Sequence, residues 1–206
     1  MARKWSNQEL KKFSHFFSGK IVNVSAGSNL DKEGSSYDTY FPKAREFWLT
    51  NYSPGSFRGF EGRSHEILLD LTQELSQEYE KAFDVAFNHT TLEHIFDVTM
   101  AFRNIYRLSR DAVIIVVPFA QEQHENEGYL DYWRFTPTCI RKLFSINGYT
   151  VMYESSNNDF NASVYLFFIA VRQPEVWIDK FPLHRPIEKA ANWIGSRKNL
   201  ISRLLS

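Results

Sequence analysis

Residues 83–119 read FDVAFNHTTLEHIFDVTMAFRNIYRLSRDAVIIVVPF, and this stretch decides the fold class. It begins in an apolar run, residues 82–88, and ends in residues 112–119, the most apolar run of the chain and one rich in β-branched side chains. Both runs are typical of buried strands. The segment between them has apolar residues at helical spacing: Val98, Phe102, Ile105 and Leu108. Asp97 precedes them as the predicted N-cap, so the stretch predicts strand, helix and strand, the last of them central.

Other apolar runs extend this alternation along the chain. Three predicted strands precede the stretch, at residues 20–27, 45–52 and 66–71. After it, Thr136 is expected to cap a second helix that ends at Gly148, and two apolar runs on either side of NNDFNA predict an antiparallel pair. Alternating strands and helices predict an α/β fold, with a parallel sheet that has both faces covered. We predict one domain over residues 1–175 and a C-terminal amphipathic helical extension over residues 176–206.

Composition excludes several classes of partner. The 206 residues include 24 basic and 24 acidic side chains, so no net charge draws the protein toward nucleic acid or an anionic membrane. The single cysteine, Cys139, allows neither an internal disulfide nor a cysteine-based metal site. No apolar stretch reaches the length of about 18 residues that a membrane span needs, and none follows the basic start as in a signal peptide. We therefore expect a cytoplasmic protein that does not bind nucleic acid.

The ends of the predicted strands are the expected ligand site, because open α/β sheets bind ligands beyond the carboxyl ends of their strands. The residues at these ends are Ser25 to Ser28, Asn51 and Tyr52, Asp70 and Leu71, Asn88 and His89, and Pro118 and Phe119. Small residues after the first strand allow close approach to the backbone, and helix amides nearby are expected to face a polar group of the ligand. Asp70 either accepts hydrogen bonds from a ligand or is a structural residue, a solvated strand-end acid or a helix cap.

Several blocks, in this order, resemble a class I S-adenosylmethionine-dependent methyltransferase: VNVSAG, FWLTNY, LLDL, AFDVAFNHTTLEHIFD, FRNIYRLSRDAVIIVVPF and HENEGYLDYWRFTP. The likeness covers roughly residues 19–173 and is closest to the branch of bacterial cell-surface polysaccharide and small-molecule methyltransferases. It implies a Rossmann-like, seven-stranded, mostly parallel sheet with helices on both faces and an antiparallel last strand. It also implies S-adenosylmethionine as cofactor and methyl transfer to an oxygen of a sugar or another small polar acceptor.

The resemblance assigns cofactor-binding positions as well. They are Ser25, Ala26 and Gly27 under the methionine and ribose, Asn51 at the ribose hydroxyls, Asp70 and Leu71 beside the adenine, and Asn88 and His89 at the methionine end. Two of these depart from the family pattern. Ser25 replaces the first glycine of a glycine-x-glycine loop, where a side chain narrows the approach and excludes some positive-φ conformations. Asn51 replaces an acid, and an amide lacks the charge assistance of a carboxylate.

Two histidines lie close together in HTTLEHIFD. His89 follows the fourth predicted strand, and His94 comes five residues later, beside Glu93. This spacing, with no second carboxylate in a recognised pattern, is a poor ligand set, so we predict no metal site. We interpret Glu93 and His94 as scaffold that braces the loop. His89 is a cleft-edge residue and a candidate general base, since an imidazole titrates near neutral pH.

The loop FAQEQHENEGYLDYWRFTP, residues 119–137, is polar and aromatic, as is typical of a lid or an acceptor-binding loop. His124 is the strongest candidate general base, with Glu125 or Asp131 to orient it. The predicted acceptor-binding residues are Asp131, Tyr132, Trp133 and Arg134. Each assignment has a structural alternative: His124 as a solvated loop residue, Trp133 as an anchor of the loop to the core, and Arg134 as the partner of a structural acid.

The last 21 residues, 186–206, carry a rough apolar stripe with most basic side chains off it. Three roles fit this pattern: a helix docked on its own domain, a homodimer element, or a peripheral membrane contact. Two alternatives to the enzyme therefore stay open. One is a catalytically inactive methyltransferase fold that serves as a binding or regulatory module. The other is a membrane-associated scaffold recruited through the C-terminal helix.

Overall fold

The computed structural model describes residues 2–52, 59–157 and 164–190. The strands are β1 (Ser18–Val24), β2 (Lys43–Asn51), β3 (Glu66–Leu68), β4 (Phe83–His89), β5 (Ser109–Ala120), β6 (Thr150–Ser156) and β7 (Val164–Val171). The helices are α1 (Ala2–Phe13), α2 (Val98–Leu108), α3 (Pro137–Ile146) and α4 (Pro174–Trp177). The strands form one seven-stranded sheet of order β3-β2-β1-β4-β5-β7-β6. Only β7 runs antiparallel to its neighbours, so the predicted mostly parallel sheet with an antiparallel last strand is confirmed.

The two predicted helices begin at the predicted caps. The Asp97 carboxylate accepts from the amide of Met100 at 3.1 Å, and the Thr136 hydroxyl accepts from the amide of Cys139 at 3.2 Å. Each bond satisfies an amide that has no partner within its helix. Gly148 follows α3 with φ +75°, a conformation that glycine adopts without steric cost.

Helices cover both faces of the sheet. On one face α2 and α3 pack on the strands through Phe102, Ile105, Ile140 and Phe144, all fully buried. On the other face α1 packs through Leu10 and Phe13. Burying one such side chain contributes roughly 1.5–3 kcal/mol. Residues 112–117 of β5 are buried on both sides, which confirms that this run lies inside the sheet.

The connection from β1 to β2 differs from the prediction. Between these strands the described chain has a short 3-10 turn, Tyr37–Tyr40, in place of the helix whose amides were expected to face a ligand. The Asp31 carboxylate accepts hydrogen bonds from the amides of Glu33 and Ser35 and from the Tyr40 hydroxyl. Such local side-chain bonds offer the backbone an alternative to a helix. The expectation of helix amides at this position was therefore wrong.

Both ends of the described chain pack on the domain. Sequence analysis assigned no element to residues 2–13, although Ser6, Leu10 and Phe13 recur at helical spacing and are buried in α1. Toward the C-terminus, the Trp177 ring packs 5.0 Å from that of Phe17, and the Ile187 amide donates to Glu154. Most of the proposed amphipathic stripe lies in residues 191–206, outside the described residues. Among the helices described, none has the length and apolar character that crossing a membrane requires.

Candidate functional site

A cleft of about 710 Å³ lies at the carboxyl ends of the parallel strands, within the size range of small-molecule sites. The predicted site residues that line it are Ser25, Ala26, Gly27, Asn51, Asp70, Leu71, His89, His124 and Tyr132. Four predicted residues do not line it: Asn88, Asp131, Trp133 and Arg134. The cleft walls also include Arg3, Lys32, Glu93 and His94, of which sequence analysis considered only the last two, and those as scaffold.

The loop after β1 keeps a tight turn despite Ser25. Ser25 itself adopts φ 57° and Gly27 adopts φ 56°, so the serine occupies a left-handed conformation that costs a non-glycine residue about 1 kcal/mol or more. Two bonds to β2 hold this turn. The Ser25 amide donates to the Thr50 hydroxyl at 3.1 Å, and the Ala26 amide donates to the Thr50 carbonyl at 3.0 Å. The serine therefore leaves the turn in place.

Asn51 is buried and braces this loop. Its Oδ1 accepts from the Gly27 amide at 2.7 Å, and its Nδ2 donates to the Gly27 carbonyl at 3.1 Å and to Glu66 Oε1 at 2.6 Å. Both amide hydrogens are used, and one lone pair on Oδ1 is left for a ligand hydroxyl. No local sequence signal marks Glu66 as a partner of Asn51. Burial alone would raise the pKa of its carboxyl, but hydrogen bonds from Asn51 and from the Arg63 and Glu61 amides hold that pKa below its usual value.

We expect Asn51→Asp, which introduces the acid that class I methyltransferases usually have at this position, to lower the free energy of unfolding by about 1–3 kcal/mol. The substitution places a second carboxylate against Glu66 and leaves the Gly27 carbonyl without its amide donor. Urea denaturation measures the change. The double variant N51D/E66Q should regain the part of the loss that comes from the two carboxylates, because the glutamine amide can donate to the new carboxylate. Equal stability of N51D and the wild type would contradict the bracing role.

His89 lies in a network with α1. Its Nδ1 lies 2.7 Å from an Arg3 guanidinium nitrogen, which can only donate, so Nδ1 is the acceptor and Nε2 carries the proton. That Nε2–H donates to the Ser6 hydroxyl at 2.7 Å. Burial, together with the Arg3 charge, holds the pKa of His89 well below its usual value. With both ring nitrogens engaged, the geometry does not favour His89 as a general base.

Asn88 joins strands and does not face the cleft. It is fully buried, and its Nδ2 donates to the Val24 carbonyl of β1 at 2.9 Å. The side chain thus ties the ends of β4 and β1 together beneath the loop that carries Ser25. A direct contact between Asn88 and a cofactor stays a prediction.

Three of the predicted acceptor-binding residues brace the loop after β5. Arg134 donates to both oxygens of Asp131, at 2.5 and 2.7 Å, and to the Gln121 carbonyl. The Trp133 indole donates to the Ile95 carbonyl at 3.0 Å. Trp133 therefore anchors the loop, and Arg134 pairs with a structural acid, which are the structural roles considered for these two residues. Tyr132, in contrast, lies on the cleft wall. The guanidinium of Arg134, opposed in part by burial, lowers the pKa of Asp131 to about 2.

Asp131 also orients His124. One of its oxygens accepts from the His124 backbone amide at 3.0 Å and lies 3.2 Å from His124 Nδ1. His124 Nδ1 also lies 3.3 Å from the Glu122 carbonyl, to which it donates. Because a carbonyl and a carboxylate only accept, the ring proton is on Nδ1, and Nε2 carries the lone pair. The amide nitrogen of Gln121 lies 3.5 Å from Nε2. Of the two acids predicted to orient His124, the structure places Asp131 against the ring.

Glu93 and His94 lie next to His124, although about 30 residues of sequence separate them from it. The His94 Nδ1–H donates to the Leu130 carbonyl at 2.7 Å, and its Nε2 lies 3.8 Å from Glu93 Oε1. The two imidazole ring centres are 4.9 Å apart. Glu93 is 1% exposed, and its Oε2 has no hydrogen-bond partner within the part of the chain that the structure describes. Burial raises the pKa of Glu93 to about 8. The structure thus assembles a cluster that local spacing did not reveal.

Comparison with known proteins establishes the fold. The sequence matches no protein-family profile and no curated protein. A chain from the complex of the Haloferax volcanii Trm112 methyltransferase activator with a methyltransferase is 14% identical, with a TM-score of 0.60 over 82% of this chain and 90% of that one. The Burkholderia thailandensis 1,6-didemethyltoxoflavin N1-methyltransferase, solved with S-adenosylhomocysteine, is 14% identical, with a TM-score of 0.54 over 81% and 77%.

The magnesium protoporphyrin IX methyltransferase of Synechocystis, solved with bound S-adenosylmethionine, is 11% identical, with a TM-score of 0.54 over 82% of this chain and 79% of that one. At such low identity the likeness carries the fold alone.

Proposed function

We propose that this chain, which has the fold of the class I S-adenosylmethionine-dependent methyltransferases, methylates an oxygen of a sugar or another small polar acceptor. One observation carries the proposal. A single cleft joins the Ser25–Gly27 loop and Asp70 to a histidine, His124. Its Nδ1 lies 3.2 Å from Asp131, and its Nε2 has a long contact, 3.5 Å, with the Gln121 amide nitrogen. The resemblance of HENEGYLDYWRFTP to bacterial polysaccharide methyltransferases supports a sugar acceptor and a place in surface-polysaccharide synthesis.

The charged, polar and apolar groups that line the cleft suit the parts of S-adenosylmethionine. Arg3 and Lys32 line it and provide cations for the methionine carboxylate. Neutral groups hold the Arg3 guanidinium in place, namely His89 Nδ1 and, at 2.9 Å, the Thr90 hydroxyl. The spare lone pair of Asn51 can accept from one ribose hydroxyl. Leucines and aromatic rings on the cleft wall provide apolar surface for an adenine: Leu69, Leu71 and Phe96.

S-adenosylmethionine, when bound, supplies an activated methyl group and its leaving group. The chain has to position the acceptor and remove its proton. His124 Nε2 exchanges its long Gln121 contact for the acceptor hydroxyl and accepts its proton. The Glu122 carbonyl holds the Nδ1–H, and the Asp131 carboxylate, 3.2 Å from Nδ1, stabilises the resulting imidazolium. Tyr132, which lies on the cleft wall and is half exposed, offers a ring face to a sugar.

A second candidate function is a binding or regulatory module with this fold and without catalysis. The observation that favours it concerns Asn51. Both of its amide hydrogens are donated to Gly27 and Glu66, so neither is available to a ribose hydroxyl. A membrane-associated scaffold would depend on the C-terminal stripe, and most of that stripe lies outside the described residues.

Calorimetric titration with S-adenosylmethionine, and separately with S-adenosylhomocysteine, separates the enzyme from the module. We expect micromolar binding of both. Asp70→Ala should weaken it about tenfold, the loss of roughly one hydrogen bond to a charged group. Asp70 lines the cleft, and its Oδ1 accepts from the Thr72 amide at 2.8 Å. Asp179→Ala, at an exposed acid outside the cleft lining, serves as the matched control. No heat from either ligand at millimolar concentration would favour the module.

A further inference from the structure

We propose that Glu93, His94 and His124 bind one divalent first-row transition-metal ion at the acceptor end of the cleft. Each side chain offers one ligand atom, and these atoms lie within 4.8 Å of one another. All three residues line the cleft, so a bound ion is accessible to an acceptor. Metal binding itself does not depend on the methyltransferase activity. The role we assign to the metal does rest on the proposed function.

The ligand set is chemically suited to such an ion. Two imidazole nitrogens and one carboxylate oxygen are the ligands that bind Fe²⁺, Co²⁺ and Zn²⁺ at sites that keep positions open for substrate. A metal about 2.0–2.2 Å from each atom needs neighbouring ligand atoms about 3–3.5 Å apart. Since the atoms lie within 4.8 Å of one another, binding has to draw the most distant pair together by up to about 1.5 Å. Glu93 and His94 are adjacent in the chain, and His124 lies on the loop after β5.

Both histidines already have the tautomer and the outer partner that metal ligation requires. The His94 Nδ1–H donates to the Leu130 carbonyl at 2.7 Å, and the His124 Nδ1 lies 3.2 Å from Asp131 Oδ2. A metal-binding histidine usually donates its second ring N–H to a carbonyl or carboxylate in this way, which fixes the ring and makes the free nitrogen a stronger ligand. In both histidines the nitrogen without the proton is Nε2, and at His124 an ion would replace the long Gln121 contact at 3.5 Å.

Glu93 provides a second indication of a bound cation, independent of the distances within the cluster. Its side chain is 1% exposed, it lines the cleft, and its Oε2 has no hydrogen-bond partner among the described residues. A buried polar oxygen without a partner is costly and rare in folded proteins. A cation held between Glu93 and the two histidines would supply the missing partner.

With the ion bound, His124 is a ligand and no longer the base. The metal then takes over activation of the acceptor: it lowers the pKa of a hydroxyl that binds at an open position, and the hydroxyl proton leaves to solvent water. A sugar with neighbouring hydroxyls can occupy two open positions, which would fix its orientation toward the methyl donor.

Titration calorimetry of the metal-free full chain with Zn²⁺, and visible absorption with Co²⁺, test the site without any cofactor. We expect one ion per chain, and a Co²⁺ absorption band typical of nitrogen and oxygen ligands. Glu93→Gln and His124→Gln should each weaken binding at least tenfold, since the loss of even an outer partner costs about 10–100-fold. His15→Gln is the matched control, because this exposed histidine lies outside the cleft lining and should bind as the wild type does.

Circular dichroism checks that each variant is folded. If one of the two cluster variants does not fold, His94→Gln is used in its place to test metal binding. Absence of binding, or equal binding by the wild type and the cluster variants, would overturn the metal site. Titration of the same samples with S-adenosylmethionine separates the two proposals. Cofactor binding without metal binding removes only the metal site, and metal binding without cofactor binding removes only the methyltransferase assignment.

Discussion

His124→Gln is expected to lower the rate of methyl transfer by about 10²- to 10⁴-fold, the usual contribution of a positioned acid–base group. The dissociation constant of S-adenosylmethionine should stay within about twofold of the wild-type value, because we assign His124 to the acceptor and not to the cofactor. The physical reason is the orientation of the ring. Nδ1 donates to the Glu122 carbonyl and lies beside Asp131, so Nε2 is the nitrogen that can face the acceptor or a metal. Steady-state kinetics with radiolabelled cofactor, and His15→Gln as control, measure the effect.

The two roles assigned to His124 give different results with a chelator. If Nε2 is the base, removal of divalent ions leaves the wild-type rate unchanged. If Nε2 is a metal ligand, EDTA abolishes turnover and added Co²⁺ or Zn²⁺ restores it in the wild type but not in H124Q. A His124→Gln enzyme that keeps the wild-type rate would contradict both roles and would leave His124 as the solvated loop histidine.

Arg134→Met should lower the free energy of unfolding by about 3 kcal/mol, the low end of the range for breaking a buried ion pair. The Asp131 side chain is 1% exposed and would be left without its strongest partner, whereas Arg134 is 27% exposed, which moderates the loss. The low pKa of Asp131 depends chiefly on this guanidinium. Urea denaturation at neutral pH measures the change.

Two controls accompany this substitution. Arg103→Met removes an exposed arginine that lies 3.9 Å from Glu74, and it should cost at most about 1 kcal/mol. The double variant D131N/R134M should recover part of the loss, because no unpaired carboxylate is left buried. If R134M is as stable as R103M, then Arg134 does not brace the loop and is available to an acceptor, as sequence analysis predicted.

The elements of the fold could be predicted because their signals are local. Asp97 and Thr136 cap the helices that follow them, and the apolar runs at residues 82–88 and 112–119 are strands of the sheet. The predictions failed where local signals compete. After β1, Asp31 binds neighbouring amides and its loop has no α-helix, and the mixed polar pattern of residues 2–13 concealed α1.

The roles of the site residues depend on contacts between distant parts of the chain. Asn51 is a brace because β3 brings Glu66 to it, and His89 is a poor base because α1 brings Arg3 and Ser6 to its two nitrogens. Neither consequence follows from residue type or spacing.

By itself, the sequence determined the α/β class, the strand order along the chain, the helix caps and the strand ends where a ligand should bind, since these follow from periodicity and local hydrogen bonding. Only the tertiary structure decided which strand-end residues face the cleft and which are used in bracing it. It also decided that Glu93, His94 and His124 meet. The physical reason is that a side chain's role depends on which donors, acceptors and charges the packing brings to it, and these come from segments far apart in the chain.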